Sequence, residues 1–167
     1  TFASFALTEM MRGMDDVNQG DFFLTINTYH DAKRQVEAVK QLAQQNVDGI
    51  VVMTGQITNE MTAALQQVSV PVVVQGQPSR HFETVNVDNQ HAGELLVPLI
   101  ANVQPTDVLL LGVDPTSDYN VGQTRFNAII QALDNNMQRL YTTFDRTETA
   151  EIMRNYLATH SSPKYII

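Results

Sequence analysis

Short bursts of β-branched residues alternate with helical patterns along most of this chain. Residues 47–78 are the clearest example, because the apolar stretches GIVVM and PVVV flank a segment with helical spacing. A strand that is apolar along its whole length is buried on both faces, and such strands form parallel sheets covered by helices. The alternation therefore predicts an α/β fold with mostly parallel strands.

The apolar bursts and the capping residues give the expected element boundaries. Helices are expected to begin after Asp31, Thr58 and Asp88, whose side chains can accept a hydrogen bond from the first helical turn. Strands are predicted at residues 22–26, 49–53, 71–74, 84–87, 107–112, 139–143 and 164–167.

The stretch after Asp88 predicts a helix that Pro98 should kink, since proline cannot donate the backbone hydrogen bond of a helix interior. Its apolar face is expected to contain Ala92, Leu95, Leu96 and Leu99.

The pattern of strands and helices begins anew at Asp88. We therefore predict two Rossmann-like lobes, residues 1–87 and residues 88–167. A chain of 167 residues with 43% hydrophobic content is long and apolar enough to bury a substantial core.

Composition and motifs argue against several classes of function. A net charge of -8 opposes direct binding to nucleic acid, which needs clustered Lys and Arg. The absence of cysteine excludes disulfides and thiolate metal sites, and no histidine lies at metal-ligand spacing. We find no nucleophile elbow, phosphate loop or dinucleotide fingerprint, and no apolar run near the ~18 residues of a membrane span. We expect no catalysis, no cofactor, no metal and no membrane insertion.

Polar residues follow the predicted strands at the edge where open parallel sheets bind ligands. Thr54 follows the second strand, Gln75 follows the third, and Asp118 lies in the loop after the fifth. Hydroxyl, amide and carboxylate groups suit the hydroxyls of a sugar. Loops are also polar simply because they face water, and the pattern alone favours that explanation.

Further candidate ligand-binding residues are Arg125, the pair Asp88 and Asn89, and Phe5. Arg125 is expected near the start of a helix, where the dipole disfavours a cation, so a partner is implied: a ligand or Asp118. Asp88 and Asn89 lie between the predicted lobes. They are expected to contact a ligand, to form a hinge or simply to cap a helix. Phe5 can stack on a sugar face, although core packing is the better expectation.

Several ordered motifs carry a resemblance to a known family. They are VDGI at residues 47–50, VPVV at 70–73, DN at 88–89, AG at 92–93, and an arginine at 125 that follows a strand, a glycine and a variable loop. This series resembles the effector-binding core of the LacI/GalR family of transcriptional regulators. Two departures concern the usual Gly-Phe after the arginine, here Ala128 and Ile129, and the usual Gly-His-Arg before the strand, here residues 104–106.

The resemblance implies a type I periplasmic-binding-protein-like fold, with Asp88, Asn89 and Arg125 lining a cleft between the lobes. It also implies a cytoplasmic homodimer that binds a sugar or sugar phosphate. Operator DNA would be bound through an N-terminal helix-turn-helix domain outside this chain. The family has a strand before Thr1 and further elements after Ile167, so we expect a partial core. The alternatives are a periplasmic sugar-binding protein of an ABC transporter and, more remotely, a small α/β enzyme acting on a sugar or phosphate.

Overall fold

The computed structural model describes residues 5–29, 31–100, 102–132, 137–143 and 145–167. Two three-stranded parallel sheets organise these residues. The first sheet has the order β1-β2-β3, with β1 at Ile50–Met53, β2 at Val72–Gln75 and β3 at Glu83–Val85. The second has the order β5-β4-β6, with β4 at Val108–Val113, β5 at Gln138–Thr142 and β6 at Tyr165–Ile166. The predicted α/β class with parallel strands is confirmed.

Helices connect the strands, and one stretch is wound more widely than an α-helix. A π-helix, Asn120–Arg125, continues directly into the α-helix that follows it, and a 3₁₀ turn, Pro105–Asp107, precedes β4. The α-helices are α1 (Phe5–Asp16), α2 (Ala32–Gln44), α3 (Asn59–Gln66), α4 (Asn89–Glu94), α5 (Val97–Ile100), α6 (Phe126–Ala132) and α7 (Arg146–Thr159). Among the helices of the described residues, none is both long enough and apolar enough to cross a membrane.

The three predicted capping residues act as caps. The side chains of Asp31, Thr58 and Asp88 each accept a hydrogen bond from the backbone N–H three residues further along, at 2.8, 3.1 and 2.9 Å. Each bond satisfies one of the amide groups that a helix start leaves unpaired. The predicted starts of α2, α3 and α4 are confirmed.

Each sheet packs against its own buried cluster of apolar side chains. Burying one such side chain stabilises the fold by about 1.5–3 kcal/mol, so each half has its own source of stability. The first cluster comprises Val39, Ile50, Val52, Met61, Leu65 and Val74. The second comprises Ile100, Val108, Leu110, Phe126, Ile129, Ile130 and Met137. The two sheets lie on either side of the predicted boundary at residues 87 and 88, and the division into domains stays a prediction.

The predicted buried strand at residues 22–26 is wrong. Residues 21–28 have no regular structure, and the side chains of Phe22, Phe23 and Leu24 are 100%, 53% and 56% exposed. A strand needs a neighbour to pair its backbone N–H and C=O groups. Within the described part of the chain, β1 pairs only with β2, and no strand pairs with this segment.

The helix after Asp88 breaks where proline requires it, which changes the face that is buried. Pro98 is the second residue of α5, where its missing N–H is tolerated, so the predicted kink is confirmed. The break turns Leu96 and Ile100 toward the core and leaves Leu95 and Leu99 60% and 75% exposed. The predicted inward orientation of Leu95 and Leu99 is therefore wrong.

Candidate functional site

The loops at the carboxyl ends of the two sheets meet through side-chain hydrogen bonds. Gln77, in the loop after β2, donates from Nε2 to Asp118 Oδ1 at 3.2 Å. Asn120, at the start of the π-helix, donates from Nδ2 to the carbonyl oxygen of Gly76 at 2.8 Å. The polar ends of both sheets thus converge on one region, where ligands bind in open parallel sheets.

Two glycines allow the loops to approach this closely. A methyl group on Gly55 would lie 3.0 Å from the carbonyl oxygen of Ser117 and 3.2 Å from Oδ2 of Asp118. Gly76 has φ +94°, and its added methyl would lie 3.1 Å from the carbonyl oxygen of Thr54. Glycine adopts that left-handed backbone at little cost, whereas other residues are strained there. The approach of the loop after β1 to Ser117 and Asp118 therefore depends on Gly55, and its approach to the loop after β2 depends on Gly76.

The two predicted site residues of the first sheet differ in how fully their side chains are engaged. The hydroxyl of Thr54 donates to the carbonyl oxygen of Gln56 at 2.8 Å and accepts from Nε2 of Gln35 at 3.3 Å. Gln75 ends β2 and is half-buried, and its side chain makes no hydrogen bond to any described residue. Gln75 is thus free to contact a ligand, whereas Thr54 already uses its one donor in its own turn.

Asp118 joins the two halves and also bonds to the first turn of the π-helix. Its Oδ1 accepts from the backbone N–H of Val121 at 3.0 Å as well as from Gln77. Its Oδ2 lies beside Gly55 and accepts no hydrogen bond from the described residues. This half-buried carboxylate can accept a hydrogen bond from a ligand hydroxyl.

Asp114 is a second carboxylate in the same loop. Asp114 accepts hydrogen bonds from the hydroxyl and the backbone N–H of Thr116, and these bonds lower the pKa of the Asp114 carboxyl. Hydrogen bonds to the charged form favour ionisation.

Arg125 lies at the end of the π-helix and not, as predicted, near the start of a helix. It is the sixth residue of Asn120–Arg125 and is followed directly by α6, so the dipole argument for an unfavourable helix start does not apply. The preceding residues contain Gly122 and polar side chains, a composition typical of loops. Such wide turns are rare and occur frequently at functional sites.

The partner of Arg125 is Asn89 and not Asp118. Arg125 Nη2 donates to Oδ1 of Asn89 at 2.6 Å, and the Nδ2 of Asn89 donates to the carbonyl oxygen of Val87 at 3.1 Å. Asn89 is only 7% exposed, so this pair lies inside the molecule. The Nε of Arg125 is buried and has no hydrogen-bond partner among the described residues. An unpaired buried donor costs about 1–3 kcal/mol, and a ligand oxygen would remove that cost.

The other predicted residues of this region are engaged differently. Asp88 is exposed, and its carboxylate accepts the 2.9 Å capping bond at the start of α4. Its structural role is therefore the helix cap, and a contact with ligand stays a prediction. Phe5 is the first residue of α1, and its side chain lies outside the part of the chain that the structure describes.

Two buried amides of the site, Gln77 and Asn120, were not among the predicted ligand-binding residues. They are 4% and 8% exposed, and both bond across the junction between the halves. The sequence offered a reason to expect Gln77 at the site, because it belongs to the polar and glycine-rich end of a predicted strand. The sequence offered no such reason for Asn120, since nothing in its local sequence distinguishes it from a residue of a solvent-exposed loop.

The described residues form no metal-ligand cluster, and two cavities among them lie apart from the candidate site. No three His, Cys, Asp or Glu residues of the described segments lie together as metal ligands. Two cavities of about 250 and 420 Å³ lie away from the predicted site residues. The smaller is lined by Ala43, Asn46, Val47, Val68, Ser69 and Val70, and the larger by Pro71, Val72, Arg80, His81, Phe82 and Glu83.

The match to a known family covers almost the whole chain. Residues 6–167 match the family described as periplasmic binding protein domain, and the chain belongs to that family. A relative among characterised proteins is the sucrose operon repressor of Staphylococcus xylosus, which is 28% identical over 133 residues, 78% of this chain and 41% of the repressor. The chain thus matches less than half of that relative's length.

Solved structures show the same fold. A LacI transcriptional regulator from Lactobacillus brevis has a TM-score of 0.78 at 16% identity, covering 99% of this chain and 64% of the regulator. The fructose binding periplasmic domain of a hybrid two component system also has a TM-score of 0.78, at 13% identity, covering 97% of this chain and 57% of that domain. The predicted resemblance to a LacI-type effector-binding core and the periplasmic-binding-protein-like fold are confirmed.

Proposed function

We propose that this chain is the effector-binding and dimerisation core of a sugar-responsive transcriptional repressor of the LacI/GalR type. Its effector is a sugar or a sugar phosphate, bound where the carboxyl ends of the two sheets meet. The chain acts by binding and not by catalysis, and it needs no cofactor. The observation that carries this proposal is the buried pair of Arg125 and Asn89, with one guanidinium donor left unpaired.

The chemistry of this region supports a polyol as the ligand. Buried and half-buried amides, a guanidinium and a carboxylate oxygen provide directional donors and acceptors. In the bound state, Arg125 Nε donates to a ligand oxygen, and Asp118 Oδ2 and the side chain of Gln75 bond to hydroxyls. Such groups fix the orientation of a hydroxylated ligand and reject apolar molecules of similar size.

Regulation requires that the ligand bind one arrangement of the halves better than another. Contacts to Arg125 and Asn89 on one side, and to the first-sheet loops on the other, provide that difference in affinity. In the intact repressor, closure around the sugar changes the geometry of a homodimer and of the helix-turn-helix domains attached to it. Operator DNA is bound in the cytoplasm through those domains and not through this chain, whose net charge of -8 disfavours contact with phosphates.

Replacing Arg125 with Ala tests the binding site. We expect sugar affinity to fall at least tenfold, because a charge-assisted hydrogen bond contributes about 1.5–3 kcal/mol. The measurement is isothermal titration of the full-length protein with mono- and disaccharides and their phosphates, including sucrose and its phosphate. Arg154→Ala, at an exposed position of α7, is the matched control and should leave affinity unchanged. An unchanged dissociation constant in a folded Arg125→Ala protein would exclude the proposed role.

The second candidate is a periplasmic sugar-binding protein of an ABC transporter. The structural similarity to a fructose binding periplasmic domain favours it. An electrophoretic mobility shift with the protein's own promoter region, with and without sugar, separates the two functions. A repressor gives a sugar-dependent shift, whereas an exported binding protein gives none and is recovered from the periplasmic fraction.

A further inference from the structure

A small cavity lies at the amino-terminal edge of the first sheet, opposite the edge that carries Thr54 and Gln75. Its volume is about 250 Å³, and it lies between the segment that joins α2 to β1 and the segment that joins α3 to β2. The backbone N–H of Ile50 donates to the carbonyl oxygen of Pro71 at 2.9 Å, which holds these two segments side by side. The cavity is lined by Ala43, Asn46, Val47, Val68, Ser69 and Val70.

Two α-helices end beside this cavity. α2 ends at Gln44 and α3 at Gln66, and lining residues of the cavity follow each end within four positions. The last carbonyl groups of an α-helix have no donor within the helix, and together they carry about half an elementary charge of negative sign. Neither last turn contains a basic residue that would offset this charge. The cavity therefore lies in the field of two negative helix ends.

The charged side chains of this region have the same sign. Residues 41–48 and 62–72 contain a single charged side chain, the exposed carboxylate of Asp48. Lys40 precedes this stretch, but its Nζ bonds to Glu37 Oε1 at 3.1 Å, toward the start of α2. Arg80 lines the other cavity. Helix ends and side chains together thus give the cavity a negative potential that suits a cation.

The size and the walls of the cavity favour a side chain over a free metabolite. Sites for small molecules usually have about 300–1,000 Å³, and this cavity is smaller. The half-buried side chains of Val47, Val68 and Val70 offer apolar contact to the stem of a long side chain. Asn46 and Ser69 add acceptor oxygens to those of the helix ends. A guanidinium has five donors in a planar fork and is weakly hydrated, so it can bond to acceptors of both helix ends at once.

We propose that this cavity is a docking site for an arginine side chain of a partner protein. Each of β1 and β2 has four residues, and a strand rises about 3.3 Å per residue, so about 10 Å separate the docked arginine from the sugar site. Partner and sugar can therefore be bound at the same time. The inference does not depend on the proposed function, because it uses neither the sugar nor the residues that contact it.

Substitutions of Ser69 test the negative potential in the full-length protein. Ser69→Lys places an ammonium group at the cavity, and Ser69→Met has a similar stem without the charge. The ratio of folded to unfolded molecules should be about twofold to fivefold higher for Ser69→Lys than for Ser69→Met at low salt, the gain typical of a cation at a helix C-terminus. The difference should shrink at high salt, because ions screen it. Urea unfolding measures the ratios.

The same pair of changes at Asn86 is the matched control. Asn86 is exposed and follows β3 at the opposite edge of the sheet. Lysine and methionine there should give nearly equal ratios, which separates a local effect at Ser69 from relief of the net charge of -8. An equal gain at both positions, or no gain at Ser69, would overturn the proposal.

Binding of an arginine side chain is tested with the capped tripeptide acetyl-Gly-Arg-Gly-amide. In nuclear magnetic resonance spectra of the isotope-labelled full-length protein, we expect the peptide to shift the backbone amide signals of Asn46, Val47 and Ser69. Citrulline in place of arginine keeps the shape without the charge and should weaken binding about tenfold, since charge-assisted hydrogen bonds are roughly twice as strong as neutral ones. Ser69→Lys should abolish the shifts by filling the cavity, whereas Ser69→Ala should retain them.

The outcomes of this titration separate the alternatives. Shifts at the cavity that weaken with citrulline and vanish in folded Ser69→Lys would support the docking site. Equal affinity for the two peptides, or no shift of the cavity residues in the folded parent protein, would overturn it. Much tighter binding of agmatine, a free guanidinium compound, than of the peptide would identify the cavity as a metabolite site and would also overturn the assignment to a partner protein.

Discussion

The two halves of the molecule differ in how closely neighbouring atoms pack around their glycines. In the first half, a methyl group on Gly13 would meet nothing within 4 Å, and one on Gly49 would meet only an ordinary contact at 3.5 Å. In the second half, a methyl group on Gly93 would lie 2.6 Å from both the carbonyl oxygen of Arg125 and the Cβ of Ala128. Backbone thus packs directly on backbone between α4 and the helix that carries Arg125.

The same close packing occurs between the second sheet and its helices. A methyl group on Gly112 of β4 would overlap the ring of Phe126, and one on Gly122 of the π-helix would overlap the carbonyl of Val113. Protein interiors of this density cannot yield to an added atom without moving several neighbours. The second half therefore fixes Arg125 and Asn89 relative to each other, whereas Gly13 and Gly49 of the first half have room around them.

The largest expected effect on the free energy of unfolding comes from replacing two helical glycines, Gly93 and Gly13, with alanine. Gly93→Ala should destabilise the protein by up to about 2 kcal/mol, because overpacking costs about 1–3 kcal/mol and the better helix propensity of Ala returns at most about 1. Gly13→Ala in α1 meets no neighbour, so it should stabilise α1 by about 0.5–1 kcal/mol. Urea unfolding of both variants and the parent measures the two free energies.

Gly93→Ala should also weaken sugar binding, because Arg125 must shift to make room for the added methyl group. If both glycine variants changed stability in the same direction, the proposed difference between the halves would have no basis.

A smaller effect is expected from two helix caps, one chosen from each half. Asp88→Ala and Asp31→Ala should each destabilise the protein by about 1 kcal/mol, because each leaves a helix start without its side-chain acceptor. Only Asp88→Ala should also reduce sugar affinity, since α4 begins with Asn89, the partner of Arg125. Asp88→Asn keeps a capping oxygen and should restore most of both properties. Thermal unfolding and titration of the three variants check this, and equal affinity losses in both Ala variants would contradict it.

The smallest effect is a pH dependence that arises from the loop after β4. The pKa of Asp114 is lowered by its bonds to Thr116, so the stability it contributes is fully present above its unfolded pKa. That stability is lost as the pH falls below about 4 and through the lower folded value. Because the carboxyl is exposed, the effect is small. Urea midpoints between about pH 5 and pH 2 should fall less in Thr116→Val, which lacks the hydroxyl donor, and parallel curves would exclude the link.

The sequence predicted helix starts and parallel strands correctly where they depend on residues close together in the chain. The three caps and the parallel strands with long apolar runs follow from residues that are adjacent or three apart in sequence. The strand predicted at residues 22–26 failed because strand formation depends on a partner far away in sequence. The inward positions of Leu95 and Leu99 failed because a break at Pro98 rotates one part of the helix relative to the other.

The candidate site was predictable in outline but not in its contacts. The rule that ligands bind beyond the carboxyl ends of parallel strands singled out Thr54, Gln75 and Asp118, and the structure places all three at the carboxyl ends of strands. It did not predict that Thr54 bonds within its own turn or that Gln77 bonds to Asp118. Those details depend on which groups of two separate sheets face each other, and no local spacing encodes that.

The sequence by itself determined that this protein is an α/β molecule with parallel sheets, since apolar runs, caps and helical periodicity act over a few residues. Its motifs also indicated the resemblance to the LacI/GalR regulators. Only the tertiary structure decided that Arg125 bonds to Asn89 across 36 positions and that Asn120 reaches the carbonyl of Gly76 across 44. Such pairs form when packing brings distant segments within hydrogen-bond distance, and glycines such as Gly55 and Gly93 leave room for the segments to approach.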